Sequence, residues 1–258
     1  MTSDPPDKSS PPPSKPRSSH RLRRGHKAEA EAAALEAAKQ QPKKRVVKTA
    51  RQLDREAFKQ VDTMLGSFAQ RRFGPLIAEV AKGFFGQSSA EEVKAPELQQ
   101  AFSLYFAYGF RDAQGRRIID MFAQFGLELD LEQKRVLDAV MRSRFVVFVL
   151  DRAEESNKQM HGRDLLRGEP LTLLDHNAYE RVTPGDVLIA YMFPVGDLWR
   201  PLGLATKVPR ARTNTLRAGF EKLAADQGFT LMTLADRRPA QVFWLGYRIA
   251  DYNIPAKA

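Results

Sequence analysis

The run HGRDLLRGEPLTLLDHN, residues 161–177, gathers His161, Asp164, Asp175 and His176 into one short segment. Imidazoles and carboxylates are what a zinc-type site uses. Three or more of them converge on the ion at about 2.0–2.2 Å, and the ion makes a bound water acidic enough to hydrolyse an ester or amide. One reading of the segment is therefore a metal-assisted hydrolase built on these four side chains, and it requires them to meet in one cleft.

The other reading is a β-hairpin. Side chains alternate along a strand, so Met160, Gly162 and Asp164 face one way while His161, Arg163 and Leu165 face the other. His161 and Asp164 then diverge. In the turn Arg167-Gly168-Glu169-Pro170, Gly168 supplies the positive φ of a tight loop and Pro170 opens an edge strand. Asp175-His176-Asn177 follows as polar turn residues that bond their own backbone. The hairpin is the favoured reading, so no catalytic or metal-binding residue is assigned. No cofactor is expected either, because the chain has no Walker loop, no G-x-G-x-x-G, no H-E-x-x-H and no G-x-S-x-G. It also contains no cysteine, which rules out disulfides, thiolate nucleophiles and cysteine-ligated zinc.

The remaining chemistry is charge. Residues 1–48 hold twelve Lys or Arg against five Asp or Glu, so +7 of the net +10 resides there and only +3 in the following 210 residues. The densest cations are Arg21, Arg23, Arg24 and Lys27, then Lys43, Lys44, Arg45 and Lys48, continued by Arg51 and Arg55. Each phosphate neutralised by such a side chain releases counterions, which gives sequence-independent, salt-sensitive binding to RNA or DNA. These ten residues are the candidate nucleic-acid-binding set; the alternatives are an arm that merely keeps the protein soluble, or one that binds an acidic protein or a membrane face.

The elements that must carry these residues can be read from pattern. Residues 1–26 are rich in Pro, Ser and Arg with almost no large apolar side chain, so a disordered arm is expected. HKAEAEAAALEAAKQQ (26–41) favours a marginal, solvated helix, and KKRVVK a linker. From Thr49, a plausible N-cap, Leu53, Ala57, Phe58, Val61, Leu65 and Phe68 recur at helical spacing. Further helices are expected from Pro75 to Gly86, from Pro96, around Ile118–Phe125 and from Asp130, with a capping box at Ser89–Glu92.

After Ser143 the period shifts towards two. Strands are expected at RFVVFVL (144–150), on both sides of the 167–170 turn, at VLIAYMF after the turn Thr183-Pro184-Gly185-Asp186, and between Leu198 and Val208. A helix from Thr213 to Gln227 and two last strands, FTLMTL and VFWLGYRI, follow. The fold class is thus α+β: an N-terminal helical bundle (49–142), then a small antiparallel β-sheet or partly open barrel within a β-rich domain (143–258), preceded by the basic arm (1–48). Phe102, Tyr105, Phe106 and Tyr108 read as core at helical spacing, while Trp199 and Trp244 are ambiguous.

Residues 98–205 resemble bacterial proteins associated with the SEC-C zinc knuckle. The likeness rests on a D-L-L-x-G-E turn (Asp164, Leu165, Leu166, Gly168, Glu169) and a later P-G-D-x-L (Pro184, Gly185, Asp186, Leu188). It implies a helix pair before a small β unit. The knuckle's cysteines are absent, so its zinc is not carried over. With no signal-like leader and no apolar run of the roughly 20 residues a bilayer span needs, the expectation is a cytoplasmic, non-enzymatic binding or adaptor protein. Its arm contacts nucleic acid and its body docks a protein partner. Oligomeric state, and RNA versus DNA, stay open.

Overall fold

The structure is a computed structural model that describes residues 50–250 apart from 87 and 204, with side chains from Arg55 onward. The expectations for the arm, the helix at 26–41, the linker and the Thr49 cap lie outside the described residues. The described residues fall within one compact unit.

Ala57, Val61, Leu65 and Ala69 recur every fourth residue and line the buried stripe of a 36-residue helix, α1 (Ala50–Phe85). The sequence suggested a fresh start at Pro75, yet the helix continues through it. Proline removes one N–H from the ladder, and the apolar stripe resumes beyond it with buried Val80, Phe84 and Phe85. Gly86 ends the helix at φ +56°. Ser89 and Glu92 form the expected capping box for α2 (Ala90–Lys94), and Pro96 opens α3 (Pro96–Leu104). A π-helical turn, Tyr105–Gly109, continues α3 and closes with Phe110 N–H donating to Tyr105 O. Then come α4 (Ile118–Ala123) and α5 (Leu131–Met141), the latter capped by Asp130 with Gln133.

Residues 144–208 form a closed, mixed, five-stranded barrel with one extra strand. The strands are β1 (Arg144–Glu154), β2 (Gln159–Asp164), β3 (Pro170–Leu174), β4 (Val187–Val195), β5 (Leu198–Pro201) and β6 (Thr206–Val208). A short helix, α6 (His176–Tyr179), lies between β3 and β4. The strand order β1-β2-β3-β5-β4 returns to β1 through a β4–β1 ladder, while β6 pairs with the first residues of β4. The fold is α+β with helices before a small barrel, as expected; the barrel is closed rather than partly open, and one pairing, β3 with β5 at Leu173 and Trp199, is parallel.

The unbroken apolar runs of β1 and β4 follow from burial on both faces. Val146, Phe148 and Leu150 pack inside the barrel with Met160, Leu173, Leu188 and Met192. Phe145, Val147 and Val149 face outward and join Phe84, Phe102, Phe220 and Phe243 in the larger core. That core runs across residue 143, so the helical and β segments share it.

A 3₁₀ turn (Arg210–Arg212) leads into α7 (Thr213–Asp226), as the sequence suggested. Neither FTLMTL nor VFWLGYRI is a strand: the first leads from Leu231 into α8 (Leu231–Arg237) and the second lies in α9 (Pro239–Ile249). Thr230 caps α8 by accepting from Thr233 N–H, and Pro239 occupies the first position of α9. Val242, Phe243 and Gly246 are buried at three- and four-residue steps, so helical packing overrides the strand propensity of Val, Phe and Trp.

Candidate functional site

The hairpin is real, and the four candidate metal ligands do not converge on it. On β2, Met160, Gly162 and Asp164 are buried while Arg163 on the other face is exposed and His161 half-buried. His161 Nδ1 lies 3.2 Å from Thr172 Oγ1 across the hairpin, and Nε2 lies 3.2 Å from Glu154 Oε2. This contact helps hold the Glu154 carboxyl below its ordinary range. Asp164 closes β2 beside the turn, whereas Asp175 follows the far end of β3. There it caps α6 by accepting from the Asn177 and Ala178 N–H groups, and His176 is exposed. Among the described residues no three His, Asp or Glu side chains are grouped as a metal ion would need. The cleft that a hydrolase of this kind requires is not formed by His161, Asp164, Asp175 and His176.

Asp164 has a different task. Its side chain is completely buried; Oδ1 accepts from Leu166 N–H and Oδ2 from Arg167 Nη1 at 2.8 Å. Arg167, with only 5% of its side chain exposed, also donates to Phe145 O on β1 and to Asp236 on α8. One guanidinium therefore ties the turn to the barrel wall and to a C-terminal helix. Gly168 takes φ +73°, and its N–H donates to Asp164 O. Glu169 pairs with Arg144, whose guanidinium stacks over Trp199 at 4.6 Å.

Asp186 is a second buried carboxylate hub. It accepts from Thr183 N–H (2.9 Å), Thr183 Oγ1 (3.1 Å) and Arg210 N–H (2.9 Å), and Lys207 Nζ lies 3.0 Å away. Burial pushes this carboxyl up, but the Thr183, Lys207 and Arg210 donors outweigh it and hold the group below its ordinary range. The residues of D-L-L-x-G-E and P-G-D-x-L thus build turns and anchor neighbouring elements.

A third polar group, the Tyr191 hydroxyl, is buried with no hydrogen-bond partner among the described residues. It rests against Gly109 of the π-helical turn, where a Cβ would lie 1.9 Å from it. Burial pushes its phenol well above the ordinary value. A cavity of about 20 Å³ lies alongside, lined by Phe84, Leu104, Tyr105, Phe145, Tyr191 and Phe243. That is room for about one water. Phe102, Phe106 and Tyr108 are core, as their spacing suggested, and Trp244 packs on Phe84 and Phe85.

Of the expected cationic set, Arg21, Arg23, Arg24, Lys27, Lys43, Lys44, Arg45 and Lys48 lie outside the described residues. Arg51 is in the first turns of α1, where only backbone is described, and Arg55 is exposed one turn further on. A group that charge counting over the whole body missed is Arg181, Lys207, Arg210, Arg212 and Arg217, around the Asp186 turn and the start of α7. Its sequence signal was present: KVPRARTNTLR (207–217) has four cations and no acid. No family model, curated protein or solved structure matches the chain. Among the described residues no helix is long and apolar enough to cross a membrane.

Proposed function

We propose that this protein is a non-enzymatic binding or adaptor protein whose basic N-terminal segment contacts RNA or DNA without reading sequence, while its folded body docks a protein partner. The observation that carries the reading is the segregation of charge: +7 in the first 48 residues against +3 in the 210 that follow. Arg51 and Arg55 continue that charge onto α1. The likeness of residues 98–205 to SEC-C-associated proteins is part of the same reading and adds no chemistry to it. For the docking part, Phe125, 59% exposed beside Phe68, and Leu131, 72% exposed at the start of α5, supply apolar surface of the kind partners cover.

The test is binding of a labelled 20-nucleotide oligomer by fluorescence anisotropy. The full chain is compared with one in which Arg21, Arg23, Arg24, Lys27, Lys43, Lys44, Arg45 and Lys48 are all changed to Gln. The reading expects the variant to lose at least about tenfold in affinity near 0.1 M salt. Equal binding by the two proteins refutes it.

A further inference from the structure

We infer that the folded body carries its own phosphate-backbone-binding surface, formed by Arg181, Arg210 and Arg217 with Lys207 behind them, at the end of the barrel where β4 begins. The surface is assembled by the Asp186 hub. Asp186 sits between Thr183 and the 207–210 segment: it accepts from Thr183 and Arg210 N–H groups and pairs with Lys207, whose Nζ also donates to Arg181 O at 2.7 Å. Thr213 Oγ1 donates to Gly185 O, fixing the start of α7 on the same turn, and Arg217 follows one helical turn later. Lys207 and the Arg210 N–H thus bind one carboxylate, itself 5% exposed and already engaged by four donors, while Arg181 is tied to Lys207 through its carbonyl and Arg217 lies one turn along α7.

Arg181, Arg210 and Arg217 are exposed, and among the described residues none of the three has a carboxylate within ion-pair distance. Arg212 is committed elsewhere: its Nη1 donates to Ile249 O at the end of α9. The aliphatic stem of Arg210 lies over Gly185, at φ +95°, where a Cβ would come within 2.7 Å of its Cγ and Cδ. This packing restricts the stem while the guanidinium stays exposed, which lowers the entropy lost on binding.

The chemistry selects the partner class. Three of the four cations are arginines, whose planar fork matches phosphate oxygens in pairs. The large apolar residues of this segment, Val208 and Leu216, are fully buried, and only the small Pro209 and Ala211 are exposed. Among the described residues, Arg181 and the 207–217 segment therefore present no large exposed apolar side chain to insert into a bilayer. A polyanionic phosphodiester chain fits what remains. The inference rests on the proposed nucleic-acid contact and extends it from the arm to the body, where it adds fixed points that orient the strand.

The experiment uses the full chain with R181E, R210E and R217E together, and a control with R71E, R72E and K82E on α1 that changes net charge equally. Circular dichroism and melting check that both are folded. The probe is the same 20-nucleotide oligomer, titrated at several salt concentrations. For duplex, losing three phosphate contacts lowers the salt slope, d log K/d log [salt], by about 2.7 in magnitude. The inference expects that fall, at least about tenfold weaker binding at 0.1 M salt, and an unchanged slope in the control. Equal slopes in the two variants overturn it, as does displacement of the oligomer by polyglutamate at matched charge. If the arm variant fails to bind while R181E/R210E/R217E binds normally, the body surface is wrong and the arm reading stands. The opposite pattern leaves the surface standing and removes the arm.

Discussion

Replacing Arg167 with Met keeps most of the side chain's bulk and removes its charge. The loss has three parts. The Asp164 leg is buried on both sides, at 0% and 5% side-chain exposure. Removing one partner of such a pair leaves a charge stranded and costs about 3–5 kcal/mol. The leg to Phe145 O is a charged hydrogen bond whose loss is part of the same stranding. The Asp236 leg ends on a carboxylate 53% exposed, and water there keeps its worth at or below about 1 kcal/mol. R167M should therefore destabilise by about 3–5 kcal/mol, a fall in Tm on the order of 10 °C for a unit of this size. D236N should cost about 1 kcal/mol or less. The double variant D164N/R167M, which no longer strands a charge, should be less destabilised than the two single losses summed. Thermal and urea denaturation of the full chain measure the parent, R167M, D236N, D164N and the double variant. If R167M costs less than about 1 kcal/mol, or D236N costs as much as R167M, the reasoning fails.

Two further outcomes follow from the other buried polar groups. Tyr191→Phe removes a buried hydroxyl that has no partner, so urea denaturation should show the protein unchanged or stabilised by about 1 kcal/mol; a loss of 2 kcal/mol would mean the hydroxyl is bonded after all. Asp186 has its pKa depressed in the fold, so its stabilising contribution is complete above the unfolded value of about 3.9 and is lost as pH falls through the lower folded value. Comparing stability across pH 2–6, Asp186→Asn should show a shallower acid loss than the parent, and parallel curves would contradict the hub.

The parts of this fold legible in the sequence are those set by local chemistry. Ser89 with Glu92 and Asp130 with Gln133 announce helix starts because the caps are complete within four residues. Alternation along 160–165 predicted that His161 and Asp164 separate, and Gly168 predicted the turn. The errors are tertiary. Pro75 looked like a start because its lost N–H is a local cost, whereas the apolar stripe on both sides of it is a packing gain. Val242, Phe243 and Trp244 looked like strand because their propensity favours it, but the face they bury packs at helical spacing. Barrel closure needs two long-range pairings, the parallel contact of Leu173 with Trp199 and the β1–β4 ladder, that no short-range pattern encodes. Beyond its local pair with Asp164, the links of Arg167 to Phe145 O and Asp236 gave no signal in sequence because those partners are 22 and 69 residues away. The cationic group at 207–217 was hidden by averaging charge over 210 residues.

The most direct measurement is the salt slope of duplex binding by the full chain against that of the eight-fold arm variant. If the arm carries the contact, neutralising those eight cations should reduce the slope in magnitude by several units, at about 0.9 for each phosphate released. Superimposable slopes for the two proteins would contradict the account.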